Sequence, residues 1–121
     1  MPHQRSWSGP RYYIVLGVDG VVCRIETEEI TLDAMQRAVK ADDEERAYVE
    51  QVYLGEHHAL LVDENGWLRG RTANPFMPSL AGPIVLVRII PASGEDGATW
   101  GTLSEQEAAE WMQAFELIER H

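Results

Sequence analysis

The sequence predicts an α+β domain, a mainly antiparallel sheet of about five strands with helices packed on one face. Three observations predict it. Runs rich in β-branched and aromatic residues recur along the chain: "YYIVL", "YVEQVYL", "HHALLV" and "IVLVRII". Asp19-Gly20 and Asn65-Gly66 supply the turn dipeptides that join antiparallel neighbours. Two segments, "TLDAMQRAVK" and "SEQEAAEWMQAFELIE", change to helical period, which places helices beside the β-rich runs.

The first hairpin is expected across "YYIVLGVDGVVCRIE", turning at Gly17-Val18-Asp19-Gly20. In the helix that follows, Leu32, Met35 and Val39 fall on one stripe, Thr31 is placed as N-cap, and Asp33 sits in the electropositive first turn. "ADDEERA" is too polar to pack and reads as a solvated loop or helix end. "YVEQVYL" and "HHALLV" follow as strands around Gly55-Glu56, the second apolar enough for a central place in the sheet. The turn Asp63-Glu64-Asn65-Gly66 should send "WLRG" back antiparallel, so that Trp67 and Leu68 re-enter the sheet.

"RTANPFMPSLAGP" carries three prolines and reads as a long irregular excursion, within which Asn74 should hydrogen-bond its own loop. "IVLVRII" closes the sheet, with Val85, Val87 and Ile89 on one face and Arg88 on the other. Ser104-Glu105-Gln106-Glu107 is a capping box. It should start a helix whose Trp111, Phe115 and Ile118 face the sheet, while Glu105, Glu110 and Glu116 stay in water.

With 121 residues the chain has room for one domain, assigned to residues 11–121 behind a loosely ordered segment 1–10. The net charge of −10 argues against a phosphate-backbone binder and against an anionic membrane surface, and favours basic partner surfaces. Cys23 alone cannot make an intramolecular disulfide, which suits a reducing cytoplasm; flanked by Val22 and Arg24, it reads as a small core residue. No apolar run reaches the roughly 20 residues of a membrane span.

In order along the chain, "TLDAMQRAV", "YVEQVYL", "LLVDENGWLRGRTANP", "AGPIVLV" and "TLSEQEAAEWMQAFE" resemble the domain of unknown function 3846, a domain common in phage, plasmid and other mobile-element genomes. The resemblance spans about residues 12–117. Its most specific part is a turn ending in Gly with an Asn eight residues later, here Gly66 and Asn74. Asp63 stands where that family usually has Asn, and "KADDEERA" stands where it has a Gly-Gly turn. The resemblance implies no activity.

No catalytic motif emerges. His57 and His58 are adjacent, so on a strand they point to opposite faces and cannot share a tetrahedral ion; no metal and no cofactor is expected. The carboxylates of Asp42 to Glu45 and of Asp63 and Glu64 lie in polar segments without the burial that would separate their pKa values. What turn chemistry leaves unexplained is the load of Arg69, Arg71, Phe76 and Met77 on one excursion, residue types that interfaces favour. With Asn74 they form the candidate binding surface. Asp42, Asp43, Glu44 and Glu45 form a candidate acidic surface.

The expected function is a non-catalytic, cytoplasmic protein-interaction module of a mobile element, in one form an acidic inhibitor of a host defence or nucleic-acid-processing protein. Its partner would be a protein, with no direct nucleic-acid or membrane binding. The alternatives are a small enzyme using the 69–79 loop with Asp63, His58 or Asn74, and a structural or dimerisation domain that forms a homodimer.

Overall fold

The computed structural model describes residues 9–40, 47–68, 70–91 and 98–119. Most of the segment 1–10 and all of Asp42 to Glu45 lie outside them, as does Arg69. The architecture is α+β. Strands β1 (Arg11–Leu16) and β2 (Val22–Glu26) precede helix α1 (Leu32–Ala38), followed by β3 (Val49–Leu54), β4 (His58–Asp63), β5 (Ile84–Pro91), β6 (Ala98–Gly101), β7 (Leu103–Ser104) and helix α2 (Glu105–Glu119).

Every strand pairing is antiparallel, and the main path across the sheet runs β2-β1-β5-β4-β3. Five strands therefore make the continuous sheet, and two more fill a wedge. β1 and β5 pair only from Ile14 to Leu16 against Ile84 to Leu86. Beyond that point β6 continues along β5 and β7 along β1, on the edges that the two strands have turned toward each other. Arg11 secures the bend between β6 and β7, donating from Nε to the Thr102 hydroxyl at 2.9 Å and from Nη2 to its carbonyl at 3.0 Å.

The hairpin β1–β2 turns as its residues require. Gly20 adopts φ +85, Asp19 Oδ1 accepts from the Val21 N–H at 3.1 Å, and Gly17 N–H donates to the Val21 carbonyl at 2.9 Å. Thr31 caps α1, its hydroxyl accepting from the Ala34 N–H at 3.1 Å. The capping box of α2 is reciprocal: Ser104 Oγ accepts from Glu107 N–H and Glu107 Oε1 accepts from Ser104 N–H, each at 3.1 Å.

The helices do not share a face. Tyr12, Ile14, Leu16, Leu60, Val62, Ile84, Leu86 and Leu103 point to one side, where α2 covers them with Ala108 and Phe115. Ala59, Leu61, Val85, Val87 and Ile89 point to the other, where α1 covers them with Met35 and Val39. The reason lies in β4 and β5, which are apolar at consecutive positions rather than at alternate ones and would leave a wet hydrophobic face under a single helical layer. Each of the fully buried side chains Leu60, Leu61, Val85 and Leu86 contributes about 1.5–3 kcal/mol of hydrophobic stabilisation.

Three side chains depart from the expected stripes. Leu32 and Ile118 are exposed at the rims of their helices, and Cys23, on the edge strand β2, lies in water instead of in the core. Of "WLRG", the described residues Trp67, Leu68 and Gly70 form no strand. After Asp63 the chain is in turns from Glu64 to Leu68 and again at Gly70, because Glu64 still donates to the Tyr48 carbonyl at 2.8 Å and the chain then doubles back on Asp63 itself.

Candidate interaction site

The turn that begins at Glu64 rests on Asp63. This carboxylate is buried; its Oδ1 accepts from the Asn65 N–H at 3.0 Å and its Oδ2 from Arg71 Nη1 at 2.9 Å. Backbone bonds close the turn above it: Gly66 N–H to the Asp63 carbonyl at 3.1 Å, Gly70 N–H to that of Trp67 at 3.1 Å, and Arg71 N–H to that of Gly66 at 3.0 Å. The expectation that Asp63 lies in a polar, unburied turn is thus corrected. It ends a central strand on the face that α1 covers, and Arg71 supplies the positive charge that makes its burial tolerable.

Arg71 does more than neutralise Asp63. Nη1 donates to the Val39 carbonyl at 2.7 Å and Nη2 to the Lys40 carbonyl at 3.1 Å, so the guanidinium occupies the C-terminal end of α1, where carbonyls lack helical partners and the dipole favours a cation. Gly82 sits against it with φ +85, and a Cβ there would lie 3.0 Å from the Arg71 guanidinium carbon. The positive φ strains any other residue there, and a Cβ would also crowd the guanidinium. A cleft of about 320 Å³ opens beside these groups, lined by Val18, Lys40, Arg71, Thr72 and Pro83.

Asn74 organises the rest of the excursion. Its Oδ1 accepts from the Phe76 N–H at 2.9 Å, the loop contact expected from sequence. Its Nδ2 also donates to the carbonyls of Leu16 and Gly82, both at 2.9 Å, tying the loop to the end of β1. Asn74 N–H to Leu80 O, Gly82 N–H to Thr72 O and an isolated bridge between Ala73 and Ala81 draw the two ends of the loop together. Phe76 is then buried edge-to-face against Phe115 of α2, with ring centroids 6.1 Å apart, and Met77 packs half-buried on the same core.

Of the sequence-derived surface, Arg71, Asn74 and Phe76 are consequently turned inward and Met77 partly so. The large apolar side chains that the described part of the loop presents outward are a pair that the sequence assigned to the sheet. Leu68 is 87% exposed and Trp67 is 56% exposed, the indole fixed by donation from Nε1 to the Ser79 carbonyl at 3.1 Å. The bond from Trp67 to Ser79 and the bonds on Asp63 fasten this tip to the loop.

A second polar cluster fastens α2 to the sheet. Glu107 Oε2 accepts from Arg88 Nη1 at 2.5 Å and stands 3.2 Å from His58 Nε2, while the His58 ring meets Trp111 edge-on at 5.1 Å. His58 and Arg88 are cross-strand partners on one face, so a single carboxylate from α2 reaches both. Burial acts to raise the Glu107 carboxyl, but the Ser104 N–H, His58 and Arg88 together outweigh it and hold it below its ordinary value of 4.5. His57, the neighbour of His58, is exposed. Among the described residues no three His, Cys, Asp or Glu side chains stand together as metal ligands, and no helix is long and apolar enough to cross a membrane.

Comparisons of the chain with family models, with curated proteins and with solved structures gave no match.

Proposed function

We propose that the protein is a non-catalytic protein-interaction module that binds through the Trp67-Leu68 tip. The observation that supports this is the division of labour within 63–82: the groups with chemical potential, Asp63, Arg71 and Asn74, are engaged in holding the loop, and the large apolar side chains exposed among its described residues are an aromatic and an aliphatic one, Trp67 and Leu68. An aromatic anchor on a turn already held in shape loses little entropy on binding, which is how a small contact reaches useful affinity.

The net charge of −10 favours a partner whose apolar pocket is rimmed by Lys or Arg. A protein with a groove built for nucleic acid meets that description, and against such a partner the module would act as an acidic inhibitor. The resemblance to the domain of unknown function 3846 extends this reading to a mobile-element protein working in the cytoplasm.

The test is affinity purification from the natural host with the parent chain and with a Trp67→Ala, Leu68→Ala double variant, after melts show that both fold alike. A protein retained by the parent and lost from the variant supports the proposal. Equal retention refutes it.

A further inference from the structure

The two edges of the sheet differ in what they would meet if a second copy approached. Glu64 N–H donates to the Tyr48 carbonyl. In an antiparallel ladder the bonding direction alternates, so Glu50, Val52 and Leu54 turn their backbone groups toward β4, and Val49, Gln51 and Tyr53 turn theirs outward. Among the described residues nothing pairs with that outer edge. On the opposite edge, Thr27 N–H donates to the Arg11 carbonyl, which by the same alternation turns Val22, Arg24 and Glu26 outward from β2.

A two-fold pairing of β2 with itself, centred on Arg24, sets one guanidinium against another, the kind of charge that guards an exposed edge. A two-fold pairing of β3 with itself, centred on Gln51, sets no like charges directly opposite: Glu50 faces Val52 of the second copy, leaving the two Glu50 side chains diagonal to each other, and Tyr53 faces Val49. Tyr53 is 65% exposed and Val49 half-buried, so the new neighbours are an aromatic and a β-branched residue, a favourable cross-strand pair. β3 also has neither Pro nor Lys, two of the devices that keep edges apart.

From this self-complementary register we infer that the β3 edge docks a second copy of this chain, joining the two sheets across a two-fold axis at Gln51. The contact uses residues of β3 and none of the Trp67-Leu68 tip. Because each copy carries a net charge of −10, repulsion opposes association and added salt strengthens it, the reverse of binding to a basic partner.

Sedimentation from roughly 1 µM to 0.5 mM, at low salt and at about 0.5 M salt, reads this directly. The expected result is a monomer–dimer equilibrium that shifts to dimer with salt, with amide exchange at Val49, Gln51 and Tyr53 slowing as concentration rises while Val22, Arg24 and Glu26 do not change. Gln51→Glu keeps an acceptor for the Trp100 indole, which donates to Gln51 Oε1 at 2.5 Å, but sets two carboxylates face to face. It should weaken the dimer about threefold or more. Tyr53→Pro removes an outward N–H without touching the bonds to β4 and should abolish the dimer. A chain that stays monomeric throughout, a dimer indifferent to both substitutions, or protection of these three amides only on adding another protein would overturn the inference.

Discussion

Asp63 and Arg71, eight residues apart, meet at 2.9 Å beneath the turn they enclose, and the same guanidinium closes the C-terminal end of α1. One ion pair thus joins the end of a central strand, the far side of a turn and the end of the helix that covers that face of the sheet. Removing one partner leaves the other charge buried. Arg71→Ala should therefore destabilise by roughly 3–5 kcal/mol in denaturant unfolding, and adding Asp63→Asn should recover part of the loss. Equal stability of parent and Arg71→Ala would place the pair in water.

Asn74→Ala removes three hydrogen bonds and leaves the Leu16 and Gly82 carbonyls without their side-chain donor. A loss of roughly 2–4 kcal/mol is expected. Asp would retain the acceptor toward Phe76 but lose the donor, so Asn74→Asp should fare little better than Ala at neutral pH.

Phe115 is buried between Phe76 and Trp111, whereas Trp111 is half exposed and lies edge-on to His58. Phe115→Ala should cost about 3–5 kcal/mol, the value for a buried aromatic. Trp111→Ala should cost roughly 1–2 kcal/mol, within the range of ordinary substitutions. Urea melts of the two variants give the order.

The Glu107 carboxyl is held below its ordinary value of 4.5 in the folded chain, so the stability it contributes is complete above the unfolded value and is lost as pH falls through the folded value. Glu107→Gln should be less stable than the parent near neutrality, with the gap closing below pH 4.5. Thermal melts from about pH 2 to about pH 7 follow it. A gap that stays constant would mean that the carboxylate's charge contributes nothing.

Much of the scaffold was legible because its signals are local. The β-branched runs, the Asp19-Gly20 turn, the Thr31 cap and the Ser104 to Glu107 capping box each act within a few residues, and each stands where the sequence puts it. The site was less legible because its determinants are distant. Asn65-Gly66 reads as a hairpin dipeptide, but Arg71 draws the chain inward toward Val39 and Lys40, 32 and 31 residues away, and nothing local announces that contact. Phe76 reads as an exposed anchor until α2 arrives to cover it. The opposite placement of the helices did have a signal, the unbroken apolar runs of β4 and β5, which ask for cover on both faces.

The most direct test of the central claim is the pair of rate constants for the captured partner, measured with the parent and with Trp67→Ala, Leu68→Ala across a salt series. Packed anchors act after encounter and charge acts before it. The account predicts dissociation at least about tenfold faster for the variant, an association rate within about twofold of the parent, and association that slows with salt for both. An unchanged dissociation rate would contradict it, because the tip would then lie outside the contact.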